Sequence, residues 1–339
     1  MFRKVLSILL MVIITGTLFG CSNSNEGTAR GYYLLTPTGF IDYEIRSFDL
    51  EGNFIFSFPF QGKLTIQPTF CTGNQRFYYV DVDEGFNSIA MDGTGKKETV
   101  PGAVTFFTII GTRVYYSNGK DGILYSCGLE GEDQQAVFED PATIYTTENV
   151  LQNLSLVIDI DDDMMYYAAK EMGQEGTETI KAFDMSSGDI SIVGTAHSGT
   201  NVELLGVVGE SLYYTTWPLS SINDKTLMAV DVHSLSVTKI GAVANAAIND
   251  AHIYYSGANY ENIYEYKDGK SVQIAQIPAV NLYACDDKVF FNFPAEVPEP
   301  FITSKDGVGT PYPYVVLSTG EISQMPADFI GAFITESKE

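Results

Sequence analysis

Several aromatic and acidic residues could bind a ligand, and they lie in the longest stretches between strand-like segments. Aromatic rings with carboxylates nearby can hold a sugar, a peptide or a cation. We therefore predict a surface that binds a protein, a peptide or a glycan. The alternative is that each ring only anchors its own loop. The candidate residues are Trp217, Phe301, Tyr312, Tyr145, Glu171, Glu175, Glu296 and Glu299.

Residue patterns typical of catalysis are missing from the sequence. The three histidines, His197, His233 and His252, lie far apart, and no H-E-x-x-H or G-x-S-x-G motif occurs. We predict that the protein is not an enzyme. An extracytoplasmic polysaccharide hydrolase or lyase is the alternative, because carboxylates alone can cleave glycosidic bonds. With 43 Asp and Glu, however, no particular pair stands out.

Two acidic clusters could hold calcium. Asp81–Gly85 partly resembles the start of an EF-hand loop, but Asp92 stands where that loop needs a bidentate Glu. The second cluster comprises Asp159 and Asp161–Asp163. We predict solvated loops and no cofactor, with calcium as the alternative at either place.

An aromatic pair recurs along the chain and reveals the elements that must position these residues. Successive copies are 46, 37, 51, 47, 41 and 36 residues apart, a period typical of repeat folds. The copies are Tyr32-Tyr33, Tyr78-Tyr79, Tyr115-Tyr116, Tyr166-Tyr167, Tyr213-Tyr214, Tyr254-Tyr255 and Phe290-Phe291.

The third copy illustrates the repeat. Its strand-like segments are Phe106–Ile110, Arg113–Ser117, Ile123–Leu129 and Gln134–Phe138, with turn residues between them. Four strands in about 40–45 residues are typical of one blade of a β-propeller. We predict an all-β propeller with seven four-stranded blades, and six blades as the alternative.

The third copy also resembles known propeller repeats. Tyr115-Tyr116-Ser117-Asn118 and Leu129-Glu130-Gly131 are similar to the Tyr-Trp-Thr-Asp and Leu-Asp-Gly segments of low-density-lipoprotein-receptor-type propellers. The chain more closely resembles a bacterial group, the domain-of-unknown-function 5050 family, which often occurs in lipoproteins. That resemblance implies a propeller, usually with six blades, whereas seven aromatic pairs favour seven here.

The two ends of the chain are predicted to close the ring. No strand-like segment precedes Tyr32, and an apolar run, Phe329–Ile334, follows the last repeat. Because an open propeller would expose sheet edges, we expect residues 328–335 to supply the first strand of the first blade. The propeller would then span residues 31–336.

Loop lengths vary mainly on one side of the predicted propeller. We call this side, which carries the connections between second and third strands and between successive blades, the loop face. The opposite side is the turn face. Variation concentrated on one face favours ligand binding there.

The N-terminus resembles a bacterial lipoprotein signal. Arg3 and Lys4 precede an apolar run, and Leu18-Phe19-Gly20-Cys21 is similar to a lipobox, which implies a lipid on Cys21. We predict a signal peptide at 1–20, a flexible tether at 21–30 and an extracytoplasmic domain anchored to the bacterial cell envelope.

Charge and cysteine content limit the partners. The net charge of −24 makes nucleic acid an unfavourable partner. Cys71, Cys127 and Cys285 lie in apolar segments, so we expect buried thiols, with one disulfide and one free thiol as the alternative. The favoured function is a membrane-tethered binding or scaffolding module. A structural subunit of an envelope assembly is a further alternative.

Overall fold

The structure of the chain is a computed structural model. It describes residues 31–38, 42–118, 123–139, 156–159, 163–170, 178–195, 199–218, 220–221, 223–249, 252–294, 312–326 and 332–336. Within these ranges the secondary structure is entirely β, and no helix long and apolar enough to cross a membrane is found there.

Most strands belong to antiparallel meanders of four strands. The first meander comprises β27 (Ala332–Phe333), β1 (Gly31–Pro37), β2 (Asp42–Asp49) and β3 (Phe54–Gln61). The second comprises β4 (Leu64–Cys71), β5 (Arg76–Asp81), β6 (Gly85–Ala90) and β7 (Lys97–Val100), and β28 (Thr335–Glu336) is added beside β4. The third comprises β8 (Phe106–Ile110), β9 (Arg113–Ser117), β10 (Ile123–Gly128) and β11 (Gln135–Glu139).

The remaining strands continue this order. The fourth meander comprises β12 (Leu156–Asp159), β13 (Met164–Lys170), β14 (Glu178–Asp184) and β15 (Ile190–Thr195). A seven-stranded sheet follows, with β16 (Thr200–Val208), β17 (Ser211–Pro218), β18 (Lys225–Asp231), β19 (Val237–Asn249), β20 (His252–Gly257), β21 (Ile263–Lys267) and β22 (Lys270–Ala275). The last sheet comprises β23 (Val280–Cys285), β24 (Lys288–Asn292), β25 (Pro313–Val316) and β26 (Ile322–Gln324).

The seven-stranded sheet contains two meanders that share β19. The first part of this 13-residue strand pairs with β18, and its second part pairs with β20. We refer to β16–β19 as the fifth meander, β19–β22 as the sixth and β23–β26 as the seventh. The fourth strand of each meander is its outer strand.

The aromatic pairs hold neighbouring meanders together. Adjacent residues of a strand point to opposite faces of the sheet, so one pair can serve both neighbours. The ring of Tyr79 packs against Phe60 of the first meander, with centroids 4.7 Å apart. Tyr78 points the other way, and its hydroxyl donates a 2.7 Å hydrogen bond to the carbonyl oxygen of Leu129 in the third meander.

The first copy departs from this rule by one residue. Tyr33 lies in the cluster shared with the second meander, whereas Tyr32 and Leu34 lie in the cluster shared with the seventh. Tyr33-Leu34, and not Tyr32-Tyr33, therefore occupies the place of the aromatic pair.

Hydrophobic clusters join each meander to the next and the seventh to the first. The core is thus a ring of aromatic and aliphatic side chains between the faces of successive sheets. This arrangement is a β-propeller, as predicted.

The C-terminus closes the ring. Phe333 and Ala332 pair with Leu34 and Leu35 of β1, and the Ile334 amide donates a 2.8 Å hydrogen bond to the Tyr33 carbonyl. The predicted pairing is confirmed at residues 332–333, and residues 328–331 of the predicted strand lie outside the described residues. Residues 335–336 differ from the prediction, because they pair in parallel with β4 of the second meander.

Phe333 lies at the centre of the closure. Its ring is 9% exposed and contacts aromatic rings of both the first and the seventh meander. The ring centroids are 4.2 Å from Tyr283, 4.7 Å from Tyr312, 5.0 Å from Phe290 and 6.1 Å from Tyr32. The same side chain that completes the first sheet therefore packs it against the last one.

Turns between third and outer strands repeat a hydrogen-bonded aspartate. The Asp184 carboxylate accepts hydrogen bonds from the Ser186 hydroxyl and amide and from the Ser187 amide. These bonds lower the pKa of Asp184 to about 2. Similar bonds lower the pKa values of Asp49, Asp92 and Asp231 at the equivalent turns.

The expectation of buried thiols is met by two of the three cysteines, Cys71 and Cys127. Cys71 and Cys127 are buried free thiols between the second and third meanders, and burial raises the pKa of Cys127 to about 11. Cys285 is buried as well, but it is disulfide-bonded.

Candidate functional site

Two of the predicted ligand-binding residues, Trp217 and Tyr312, lie in the described part of the chain. Trp217 is near the end of β17 on the loop face, and Tyr312 directly precedes β25. The other candidates lie outside the described residues; they are Tyr145, Glu171, Glu175, Glu296, Glu299, Phe301 and the predicted lipidation site Cys21.

Trp217 contacts a cation from its own chain. Lys225 begins the adjacent strand β18, and its Nζ lies 4.7 Å from the Trp217 ring centroid. The same Nζ is 3.0 Å from Oε2 of Glu203 on β16, and the Thr215 hydroxyl also donates to that oxygen, at 3.3 Å. Lys225 is only 6% exposed. An aromatic ring and a carboxylate thus share one buried ammonium group.

The sequence predicts that aromatic rings and carboxylates could bind a cation from an external ligand. In this cluster the ring and the carboxylate bind Lys225 of the same chain. A lysine ammonium over an indole face is a favourable cation–π arrangement, and a carboxylate at hydrogen-bond distance compensates the buried charge. The Lys225 side chain therefore ties together the loop-face ends of three adjacent strands. In the structure, one face of the indole ring has an internal partner.

Tyr312 packs inward against the closure of the ring. Its centroid is 4.7 Å from that of Phe333 and 6.5 Å from that of Phe290. Burial raises the pKa of the Tyr312 hydroxyl to about 12. Tyr312 anchors the C-terminal strand through these contacts.

The sequence patterns do not predict three polar residues of the loop face, which are Glu178, Glu203 and Lys225. Glu178 is buried at the start of β14, and its carboxylate accepts a hydrogen bond from the Val202 amide in the next meander. The available signal is a charged residue at the first position of a strand, next to a long loop. Glu178 and Lys225 both fit that description.

The first acidic cluster uses its carboxylates internally. Asp81 is buried and accepts hydrogen bonds from the amides of Lys63, Asp83 and Glu84. Asp83 lies 2.6 Å from the Lys63 ammonium, and Glu84 pairs with Lys96. Of the second cluster, only Asp159 and Asp163 are described. Within the described ranges, no three His, Cys, Asp or Glu side chains form a group suited to a metal.

Large apolar side chains are exposed on the outer strands. Eight large hydrophobic residues of the described chain are exposed, and six of them lie on these strands. Val82 and Leu235 are the two in turns. The six on outer strands are Phe54, Ile55, Ile190, Ile192, Val237 and Val272.

Comparisons with known proteins agree on the fold. No family model matches the chain, and no curated protein matches it. Solved structures do match. An oligogalacturonate lyase in complex with manganese has a TM-score of 0.54 at 12% identity, over 85% of this chain and 84% of that one. The oligogalacturonate lyase of Vibrio parahaemolyticus has a TM-score of 0.55 at 9% identity, over 87% of this chain and 84% of that one.

A puromycin-hydrolyzing peptidase of Mycobacterium tuberculosis also matches, with a TM-score of 0.56 at 10% identity. The match covers 88% of this chain and 53% of the peptidase, so this chain spans about half the peptidase's length. This chain has the β-propeller fold. At such low identity the likeness extends to the fold alone.

Proposed function

We propose that the protein is a binding or scaffolding module for a protein partner, tethered by a lipid on Cys21 to the extracytoplasmic side of a bacterial membrane. The observation that carries the proposal is the set of exposed apolar residues on the outer strands. Two pairs of these residues lie close together in the chain, Phe54 and Ile55 on β3 and Ile190 and Ile192 on β15, and exposed apolar side chains that lie together often mark protein–protein contact sites. A protein that binds no partner is expected to have few exposed apolar residues on its edge strands.

The proposed propeller has seven blades, one for each meander. Its support is that β19 serves two meanders and that hydrophobic clusters join each meander to the next around the ring. An experimental structure with six or eight blades would refute the count. Membership of the domain-of-unknown-function 5050 family stays a prediction from sequence resemblance.

The loop face stays a second candidate surface for the partner. Its predicted contacts include Trp217, Phe301 and Tyr312, and the internal contacts of Trp217 and Tyr312 give both residues a structural role as well. Trp217→Phe keeps an aromatic ring beside Lys225, whereas Trp217→Ala removes it. Loss of partner binding in the alanine variant alone, at unchanged melting temperature, would favour the loop face.

Site-specific photo-cross-linking in cells tests the function. A photoreactive amino acid is placed at Ile192 on an outer strand or at Trp217 on the loop face, in the full membrane-tethered chain. We expect a reproducible adduct with one other protein. If no position gives a protein adduct and a glycan is turned over in a way that depends on Glu171, Glu296 or Glu299, the enzyme alternative replaces this proposal.

The tether is tested at Cys21. We expect wild-type protein in the membrane fraction and Cys21→Ala in the soluble extracytoplasmic fraction. A sulfur that carries a thioether-linked lipid cannot also form a disulfide, and Cys285 is disulfide-bonded in the structure while Cys71 and Cys127 are free. The mass of the mature protein should therefore include a lipid that reduction does not release, and a Cys21–Cys285 disulfide found by peptide mapping would contradict the tether. Cys21→Ala that stays in the membrane as before would contradict the tether.

A further inference from the structure

Among the outer strands, β3 combines an apolar sequence with an open edge. Its eight residues, Phe54–Gln61, include four phenylalanines. Phe54 is 51% exposed and Ile55 is 48% exposed, and both lie where the register with β2 shifts. No strand in the described part of the chain pairs with the edge of β3 that faces away from β2.

The register makes this edge the most regular of the outer edges. Six consecutive pairs join β2 to β3, from Asp42↔Gln61 to Ser47↔Phe56, and the only register shift lies beyond them, next to the turn. In β7, β11, β15, β19 and β22 a register shift divides the pairing with the third strand into shorter runs. Bulges, short strands and edge prolines protect an edge from further pairing; in β3 the bulge is confined to Phe54–Phe56 and the one proline is Pro59.

Pro59 indicates which backbone groups of β3 face away from β2. Proline is accepted in an edge strand when its nitrogen faces away from the sheet. Because hydrogen-bonding direction alternates along an antiparallel strand, the amide and carbonyl of Ser57 face the same open side as Pro59. The Ser57 amide can therefore donate, and the Ser57 and Pro59 carbonyls can accept, hydrogen bonds with an added strand.

The charge near β3 favours a basic partner. Residues 42–61 contain four carboxylates, Asp42, Glu44, Asp49 and Glu51, and one cation, Arg46. Arg46 is already paired with Glu44 at 2.7 Å. A second copy of this chain is disfavoured here, because each copy carries a net charge of −24.

We propose that the free edge of β3 is the docking site for an extended, basic segment of a protein partner, which adds to the first meander as a further strand. Backbone hydrogen bonds give such an added strand its affinity, and alternate side chains give it specificity. Apolar side chains of the segment contact Phe54 and Ile55 at the start of β3, and its lysines or arginines lie near the carboxylates of β2. This inference rests on the proposed function and names the surface that serves it.

A peptide probe tests the strand addition directly. We use a fluorescent peptide of alternating valine and lysine, about seven residues long, with the full chain. Its control has the same residues and charge but N-methyl groups on alternate amides, which block pairing. We expect the unmodified peptide to bind at least about tenfold more tightly and to slow hydrogen exchange at residues 55–58. Equal binding of the two peptides, or no protection in β3, would overturn the inference.

A pair of lysine substitutions provides the matched control in the protein. Ile55→Lys places a cation on the proposed site, and Val272→Lys places one at a similarly exposed position on the outer strand β22. Both variants change the net charge equally and should keep the wild-type melting temperature. We expect Ile55→Lys to weaken peptide binding about tenfold and Val272→Lys to weaken it less than about twofold. Equal effects of the two substitutions would mean that peptide binding depends only on the net charge of the protein and not on β3.

Cross-linking from position 55 in cells separates this inference from the proposed function. An adduct between a photoreactive residue 55 and another protein, lost when that protein's basic segment is deleted, supports the inference. An adduct of twice the protein's own mass would show a second copy at β3 and overturn the choice of partner. Adducts at Ile192 or Trp217 but none at position 55 would overturn β3 as the site and leave the binding function standing. No adduct at any position counts against both.

Discussion

Replacing Phe333 with alanine should weaken the closure of the ring. The phenylalanine ring is 9% exposed and contacts four other aromatic rings. Burying a phenylalanine side chain contributes about 2–3 kcal/mol, and the cavity left by its removal adds to the loss, so phenylalanine-to-alanine changes in cores cost about 3–5 kcal/mol. We expect a loss of about 4 kcal/mol in the free energy of unfolding.

This loss corresponds to a measurable shift in melting temperature. For about 300 residues, an unfolding entropy of about 2.1 cal/mol/K per residue gives about 0.6 kcal/mol/K, so about 4 kcal/mol lowers the midpoint by about 6 °C. Thermal melts followed by circular dichroism, with urea titrations as a second measurement, are sufficient. Both variant and wild type should remain monomeric in these experiments.

Phe54→Ala is the matched control. It removes the same side chain from the same meander, but from a position that is 51% exposed. Its expected cost is about 1 kcal/mol, or less than about 2 °C. If Phe333→Ala melts no lower than Phe54→Ala, the aromatic closure does not stabilise the ring and our reasoning is refuted.

Three further outcomes follow from contacts described above. Truncation after Pro326 removes β27 and β28, so we expect oligomers or an unfolded chain by light scattering; a monomer with an unchanged melting temperature would count against closure. Lys225→Met leaves Glu203 without its ion-pair partner and should cost about 3–5 kcal/mol in denaturant titrations, whereas adding Glu203→Gln should recover most of that loss; strictly additive losses would contradict the coupling. Hydrogen bonds depress the pKa of Asp184 to about 2, below an unfolded value of about 3.9, so its stabilisation is present above about pH 4 and is lost as the pH falls towards 2. The difference in melting temperature between wild type and Asp184→Asn should shrink over that range, and a constant difference would be inconsistent with the linkage.

The repeat fold could be predicted because its signal is local. A strand packed on both faces needs two adjacent apolar residues, and an aromatic pair such as Tyr78-Tyr79 meets that need with one side chain for each neighbour. The same logic explains the error in the first copy. Leu34 occupies the second position of the pair and packs there as an aromatic ring would. A pattern of two adjacent aromatic residues therefore predicts Tyr32-Tyr33, and only the strand pairing and packing of β1 show that the pair is shifted by one residue.

The candidate site could not be predicted as well, because its contacts join distant segments. A ring in a long loop predicts a binding role for Trp217, yet its partner Lys225 also contacts Glu203 on another strand. The same pattern predicts a binding role for Tyr312, whose partner Phe333 comes from the C-terminal strand. The parallel pairing of residues 335–336 with β4 has no sequence signal, since two residues carry no periodicity.

The closure of the ring has a consequence for biosynthesis. Leu34 pairs with Phe333, so the inner edge of the first sheet has no partner until nearly the whole chain has been made. At about 5–20 residues per second, synthesis of the roughly 300 intervening residues takes about 15–60 s. Throughout that interval β1 presents unpaired backbone groups to any strand nearby. A chaperone, or rapid assembly of the middle meanders, would shield this edge until β27 pairs with β1 and completes the first sheet.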